Sequence, residues 1–246
     1  MMPLKKFLLM LLLTALVCLC SCSEVEEVRT VADIAYNRVH ETKFLYVLEG
    51  DQYVPFVVLT DDYNGNTLLL RKDILEGTRR ISEYTSFYEN SEIDKYLNGE
   101  YYSNLSKAWK YIIPSNIEIT SEEALGMSGN KTVTIERNIF LLSCNEIGID
   151  ESVNISSEGH VLDYFKNEKN RIAYSNGRAM SWWLRTPNTY YLSCTYVVGD
   201  NNKIGYTNAY DGNGIRPAFC VRNGSPIELK TEIVDNQSVY VFSCEN

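Results

Sequence analysis

The sequence predicts an α+β domain, and three observations carry that prediction. Runs of β-branched and aromatic residues bounded by turn signals fill residues 44–71 and again 182–242. The stretch between them switches to helical spacing around Ser91–Asn98. No internal repeat or low-complexity segment interrupts the pattern, and helices in the middle flanked by antiparallel strands imply α+β.

In chain order, Phe44–Leu48 and Tyr53–Leu59 flank Glu49-Gly50-Asp51-Gln52, a hairpin signal, and Asn64-Gly65 turns the chain into Thr67–Arg71. Ser91 is a good N-cap for a short helix over 92–98, which Asn98-Gly99 is expected to stop. A second short helix is expected from Ser103-Asn104 through Leu105 and Trp109, halted before Pro114. Ile117–Thr120 reads as a strand, 121–136 as a polar loop, and Ile139–Leu142 as a buried strand. Residues 144–180 are irregular apart from a short helix near 161–165. Strands are then expected at 182–185, 190–198, 203–207, 215–222, 227–234 and 238–242.

The N-terminus reads as an address. Lys5 and Lys6 precede an apolar run from Phe7 to Leu19 that is too short for a comfortable membrane span, the pattern of a secretory signal. Leu19-Cys20-Ser21-Cys22 resembles a bacterial lipobox, which implies that Cys22 carries a diacylglyceryl group and becomes the mature N-terminus. Two acyl chains make such anchoring stable. The expected organisation is a signal peptide over 1–21, a tether over 22–42 and one α+β domain over 43–246, held on the outer side of a bacterial membrane.

Composition narrows the chemistry. Without residues 1–21 the chain keeps 21 of its 23 Lys and Arg against 32 Asp and Glu, a net charge near −11. An acidic chain without a basic stripe has no footprint for nucleic acid. Two histidines, His40 and His160, leave no obvious zinc set or nucleophile–histidine pairing, and neither a phosphate loop nor a dinucleotide fingerprint is present. No catalytic residue, metal or cofactor is therefore assigned. Cys144, Cys194, Cys220 and Cys244 permit two disulfides in three connectivities, and free buried thiols are the competing reading.

The densest knot of specific residues is Ser181–Pro187 together with Gly212–Phe219. Trp182 and Trp183 alternate across a strand, so one is expected to face the core and the other the opposite side. Their chemistry is stacking and hydrogen bonding, with packing the commoner use of such residues. Trp183, Arg185, Tyr206, Tyr210 and Arg216 are the candidate ligand-binding residues. Arg185 and Arg216 suit an anionic group or buried structural pairs, and the Asp, Asn, Gly and Tyr of 199–213 suit an exposed ligand face.

Five segments in fixed order resemble a bacterial family of uncharacterised domains: Leu68–Leu70 after the Asn-Gly turn, Ser91–Asn98, Ile139–Ser143 with Glu146, Trp183–Pro187, and Gly214–Ala218. The resemblance covers roughly residues 44–222 and departs at Tyr88, where the family has Trp. That family is in turn similar to the C-type-lectin-like fold, in the branch that holds the formylglycine-generating, sulfatase-modifying enzymes. The resemblance implies a lectin-like fold. It carries over neither a calcium site, because Thr186-Pro187-Asn188 lacks the lectin carboxylate, nor the oxidase activity, because the later cysteines lack its close pair. The functional expectation is a non-enzymatic domain that binds an extracellular ligand, glycan or peptide, or a protein partner. A sulfatase-modifying type of enzyme and a purely structural envelope protein are the alternatives.

Overall fold

The structure, a computed structural model, describes residues 28–243 apart from 106, 125–130, 150–154 and 235–236. The signal segment, Cys22 with the first residues of the tether, and Cys244 lie outside the described residues. The first half supplies strands β1 (Phe44–Glu49), β2 (Gln52–Tyr63), β3 (Asn66–Arg71), β4 (Ile112–Ile113), β5 (Ser115–Thr120) and β6 (Thr132–Arg137). The second half supplies β7 (Tyr174–Ser175), β8 (Arg178–Ala179), β9 (Trp182–Pro187), β10 (Cys194–Val198), β11 (Ile204–Asn208), β12 (Ala218–Val221), β13 (Ile227–Val234) and β14 (Gln237–Phe242). The result is α+β and mainly β.

A seven-stranded sheet in the order β13-β14-β1-β2-β3-β12-β4 forms the body, and smaller sheets β11-β10-β9, β5-β6 and β7-β8 pack around it. Neighbours in the large sheet are antiparallel except β1 and β14, which run parallel. Leu68, Leu69 and Leu70 pair with Cys220, Phe219 and Ala218, so two of the sequence segments singled out above are one ladder. Phe56–Leu59, Leu68–Leu70 and Ala218–Val221 are buried without alternation, which means that both faces of the central strands are covered.

Several elements differ from the sequence expectation. Ser91 does cap its helix, its Oγ accepting from the Asp94 N–H at 3.2 Å. The helix does not stop at Asn98-Gly99: Glu92–Tyr96 passes through a π-helical turn at Leu97–Tyr101 into Tyr102–Asn104. No separate helix then runs to Trp109. Leu97, Tyr101 and Leu105 keep the buried face continuous across Gly99.

Residues 139–142 are extended and buried, yet they form no strand beyond a single bridge from Phe140 to Ala218. Side chains replace the ladder. Asn98 Nδ2 donates to the Ile139 carbonyl at 2.9 Å and Asn98 Oδ1 accepts from the N–H groups of Asn138 and Ile139. Thr132–Arg137, expected as loop, is a strand paired with β5, its polar residues facing solvent around Ile135.

The N-terminal stretch also joins the body earlier than the tether reading places it. Val31, Ile34 and Ala35 are in the core, and the Val31 N–H donates to the Ser225 carbonyl at 3.0 Å. Expected strands at 190–193 and 215–217 are turn and coil, with the strands starting at Cys194 and Ala218. Among the described residues, no helix is long and apolar enough to cross a membrane.

Candidate functional site

The Trp-Arg strand is the centre of the interior. β9 is buried along its whole length, so Trp182 and Trp183 both lie in the core, one on each side of the strand. Each indole N–H has a carbonyl: Trp182 Nε1 donates to Arg171 at 2.9 Å and Trp183 Nε1 to Arg79 at 2.7 Å. Trp183, a candidate ligand residue from sequence, offers no surface to a ligand.

Arg185 is wholly buried as well, and its guanidinium is clamped. Nη1 and Nη2 donate to Glu146 Oε2 and Oε1 at 2.7 and 2.8 Å, a bidentate pair. Nη1 also reaches the Leu141 carbonyl at 2.8 Å and Nε the Glu118 carbonyl at 2.9 Å. Burial alone disfavours the charged guanidinium, but Glu146, Tyr63 and Glu158 together hold its pKa above the ordinary arginine value.

Glu146 in turn accepts from the Tyr63 hydroxyl at 2.6 Å and the Ser143 N–H at 2.9 Å. Gly159 comes so close that an added Cβ would stand 2.9 Å from Glu146 Oε1. Glu158 completes the cluster, 3.7 Å from Arg185 Nε, with the Thr120 N–H at 2.6 Å and the Thr186 hydroxyl at 2.7 Å. Burial holds the Glu158 carboxyl above its usual value, against the opposing pull of Arg185 and Thr120.

Arg216 is buried under different conditions. Its Nε donates to the Arg71 carbonyl at 3.1 Å and its guanidinium lies 4.9 Å from the Trp182 ring, while Nη1 has no hydrogen-bond partner within the protein. Burial lowers its pKa to about 10. Gly214, two residues before it in the motif, is fixed by space: an added Cβ would lie 2.5 Å from Ile74 Cγ2 and 2.8 Å from the Ser181 carbonyl. Both motif arginines are thus internal, and neither reaches a ligand surface.

The remaining candidates, Tyr206 and Tyr210, are 47% and 57% exposed. They do not stand alone. Tyr190, Tyr191, Leu192 and Tyr84 are also exposed and belong to neighbouring loops. Ser86 Oγ donates to the Leu192 carbonyl, the Ile81 and Ser82 N–H groups donate to the Ala209 carbonyl, and the Ala209 N–H donates to the Ser193 carbonyl. One end of the small β9–β11 sheet therefore carries a tyrosine-rich surface. Tyr190, Tyr191, Tyr206 and Tyr210 belong to the tyrosine-rich segment leading into the Arg-Pro strand, on which the sequence places an exposed surface centred on 199–213; Tyr84 joins it only through tertiary contacts.

A second concavity, about 390 Å³, lies at the Tyr63 end of β2, lined among others by Asp62, Tyr63, Glu118, His160 and Asp163. No three described His, Cys, Asp or Glu side chains are grouped to hold a metal ion. Cys144, Cys194 and Cys220 are free thiols. Burial pushes the Cys220 thiol up to about 12 and raises that of Cys144 as well.

Glu158 gives a pH signature. Because its folded-state pKa lies above the ordinary 4.5, its contribution to stability is full below that value and is lost as pH rises through the folded pKa. Glu158→Gln keeps the shape and removes the titration. Denaturant unfolding from about pH 4 to pH 8 is expected to show the wild-type chain losing stability relative to the variant as pH rises. A pH-independent difference contradicts the assignment.

No curated protein and no solved structure matches this chain. A family profile matches residues 64–223, which takes in Asn98, Glu146, Glu158, Arg185, Gly214 and Arg216 but not the hairpin β13–β14. The chain belongs to the DUF6273 family, a domain of unknown function.

Proposed function

We propose that this chain is a lipid-anchored, extracytoplasmic recognition domain, C-type-lectin-like in fold, that binds its ligand without catalysis through the tyrosine loops beside β10 and β11. The observation that carries the reading is the exposed trio Tyr190, Tyr191 and Tyr206 in ring-to-ring contact, with exposed Leu192, Tyr84 and Tyr210 on loops hydrogen-bonded to the same region. Large apolar side chains grouped at a surface mark interaction sites, and tyrosine supplies rigid contact area with a polar tip.

The pairing of β12 with β3, with the β9–β11 sheet inserted between them in sequence, favours the lectin-like assignment. The sulfatase-modifying alternative needs an accessible thiol of lowered pKa, and burial raises the pKa of both Cys144 and Cys220.

Two outcomes follow. Glycan and peptide arrays probed with the lipid-free chain are expected to give ligands whose signal falls at least about tenfold in Tyr191→Ala/Tyr206→Ala, with stability held to within about 0.5 kcal/mol, as for exposed sites. An empty array, or binding indifferent to the double substitution, contradicts the role. In cells, Cys22→Ala is expected to move the chain out of the membrane fraction, and its retention there contradicts the anchor.

A further inference from the structure

The tyrosine surface has an internal order that a scatter of exposed rings lacks. Tyr191 and Tyr206 are stacked, with centroids 5.2 Å apart and planes 23° from parallel. Tyr190 stands perpendicular to Tyr191 at 5.0 Å, and the buried Tyr196 stands nearly perpendicular to Tyr206 at 5.8 Å. The loop below is pinned by the buried Asn188, whose Oδ1 accepts from the N–H groups of Tyr190 and Tyr191 at 3.0 and 2.8 Å. Its Nδ2 donates to the Tyr196 hydroxyl at 3.2 Å. The rings are held before any ligand arrives, which lowers the ordering cost of binding.

The ribbon face that carries Tyr206 is uncharged. Strand register sets Tyr206 opposite Tyr196, Asn208 opposite Cys194 and Ile204 opposite Val198, all on one face of the β10–β11 ribbon. Leu192 and Ser193, in the turn before β10, are uncharged as well. This neutrality stands out in a chain whose residues are 22% charged and whose net charge is −9. A phosphate- or carboxylate-bearing polymer needs cationic partners, and this face supplies none of its own. A ligand that fits it is neutral, with a flat C–H face for the rings and peripheral hydroxyls for the tyrosine hydroxyls, Ser193 and the Asn208 amide.

We infer that the Tyr191–Tyr206 stack, braced by Tyr190 and Tyr196, binds a chain of neutral hexopyranose units by stacking and without a metal ion. The inference rests on the recognition role proposed above and names the ligand class of that surface.

Calorimetric titration of the full chain in detergent uses cellohexaose and mannohexaose as neutral probes and a hexagalacturonate as the anionic one. At least one neutral probe is expected to bind, with affinity that changes less than about twofold between about 50 and about 500 mM salt. Tyr191→Ala and Tyr206→Ala are each expected to weaken it at least about tenfold, while Tyr206→Phe retains most of it. Near-ultraviolet circular dichroism checks that each variant is folded.

Three results overturn the inference: neither neutral probe binding, binding that the alanine variants leave unchanged, or stronger, salt-sensitive binding of the galacturonate. Tyrosine-dependent binding of peptides alone on the arrays would remove the sugar assignment and leave the recognition role standing. Loss of all tyrosine-dependent binding would remove both.

Discussion

Arg185 is a full charge placed where no water reaches it, and the organisation of the interior follows from what that demands. A buried guanidinium is tolerated when its donors are met and its charge is balanced. Here Glu146 meets it face on, Glu158 approaches from the side, and the carbonyls of Leu141 and Glu118 take two more N–H groups. Those partners come from β5, from residues 141–146 and from residue 158, and Tyr63 at the end of β2 closes the circle on Glu146. Apolar packing brings segments together, while the fixed geometry of a bidentate pair sets their register.

Other motif residues work in the same way, as spacers and clips for a backbone that lacks regular pairing. Asn98 stands in for a neighbouring strand along residues 138–139, and the π-helical turn lets the helix run past it into Tyr102–Asn104. Gly159 allows contact with Glu146, and Gly214 allows contact with Ser181 and Ile74. With β9 held on both sides, the buried β10 and the more exposed β11 build out from it, and the loops at their ends, pinned by buried Asn188 and Ala209, carry the exposed tyrosines. Rigidity inside and variable, exposed loops outside is the usual division of labour in binding domains. The acidic cleft near Tyr63 lies on the same side as the entry of the N-terminal segment, since Asp61 accepts from both Asn37 and, through its carbonyl, Asn223.

Much of the sheet is legible in the sequence because alternation and turn chemistry are local. The hairpin of β1 and β2, the Asn64-Gly65 turn into β3 and the Ser91 cap all announce themselves within a few residues. What is hidden depends on contacts distant in sequence. Glu146 and Arg185 are separated by 39 positions, and nothing near either residue names its partner. Residues 139–142 read as a strand because they form an apolar run, whereas their backbone pairing is limited to Phe140 with Ala218 and Leu142 with Arg185, the side chains of Asn98 and Arg185 taking the carbonyls of Ile139 and Leu141. Thr132–Arg137 is hidden for the opposite reason: an exposed strand with polar outward residues resembles a loop. Trp183, Arg185 and Arg216 are conspicuous as residue types, but burial makes them framework. The tyrosine surface is largely legible, Tyr190, Tyr191, Tyr206 and Tyr210 by composition, and Tyr84 only through tertiary contacts.

The buried Arg185–Glu146 pair makes the Trp-Arg strand framework. A double-mutant cycle between Arg185 and Glu146, read by denaturant unfolding of Arg185→Met, Glu146→Gln and the double variant, tests it most directly. Removing one partner leaves the other charge or its donors unmet in the interior, so each single substitution is predicted to cost about 3–5 kcal/mol, and the double variant less than their sum. Single substitutions within about 0.5 kcal/mol of wild type, with additive effects, would contradict the account and return Arg185 to the list of ligand-facing residues.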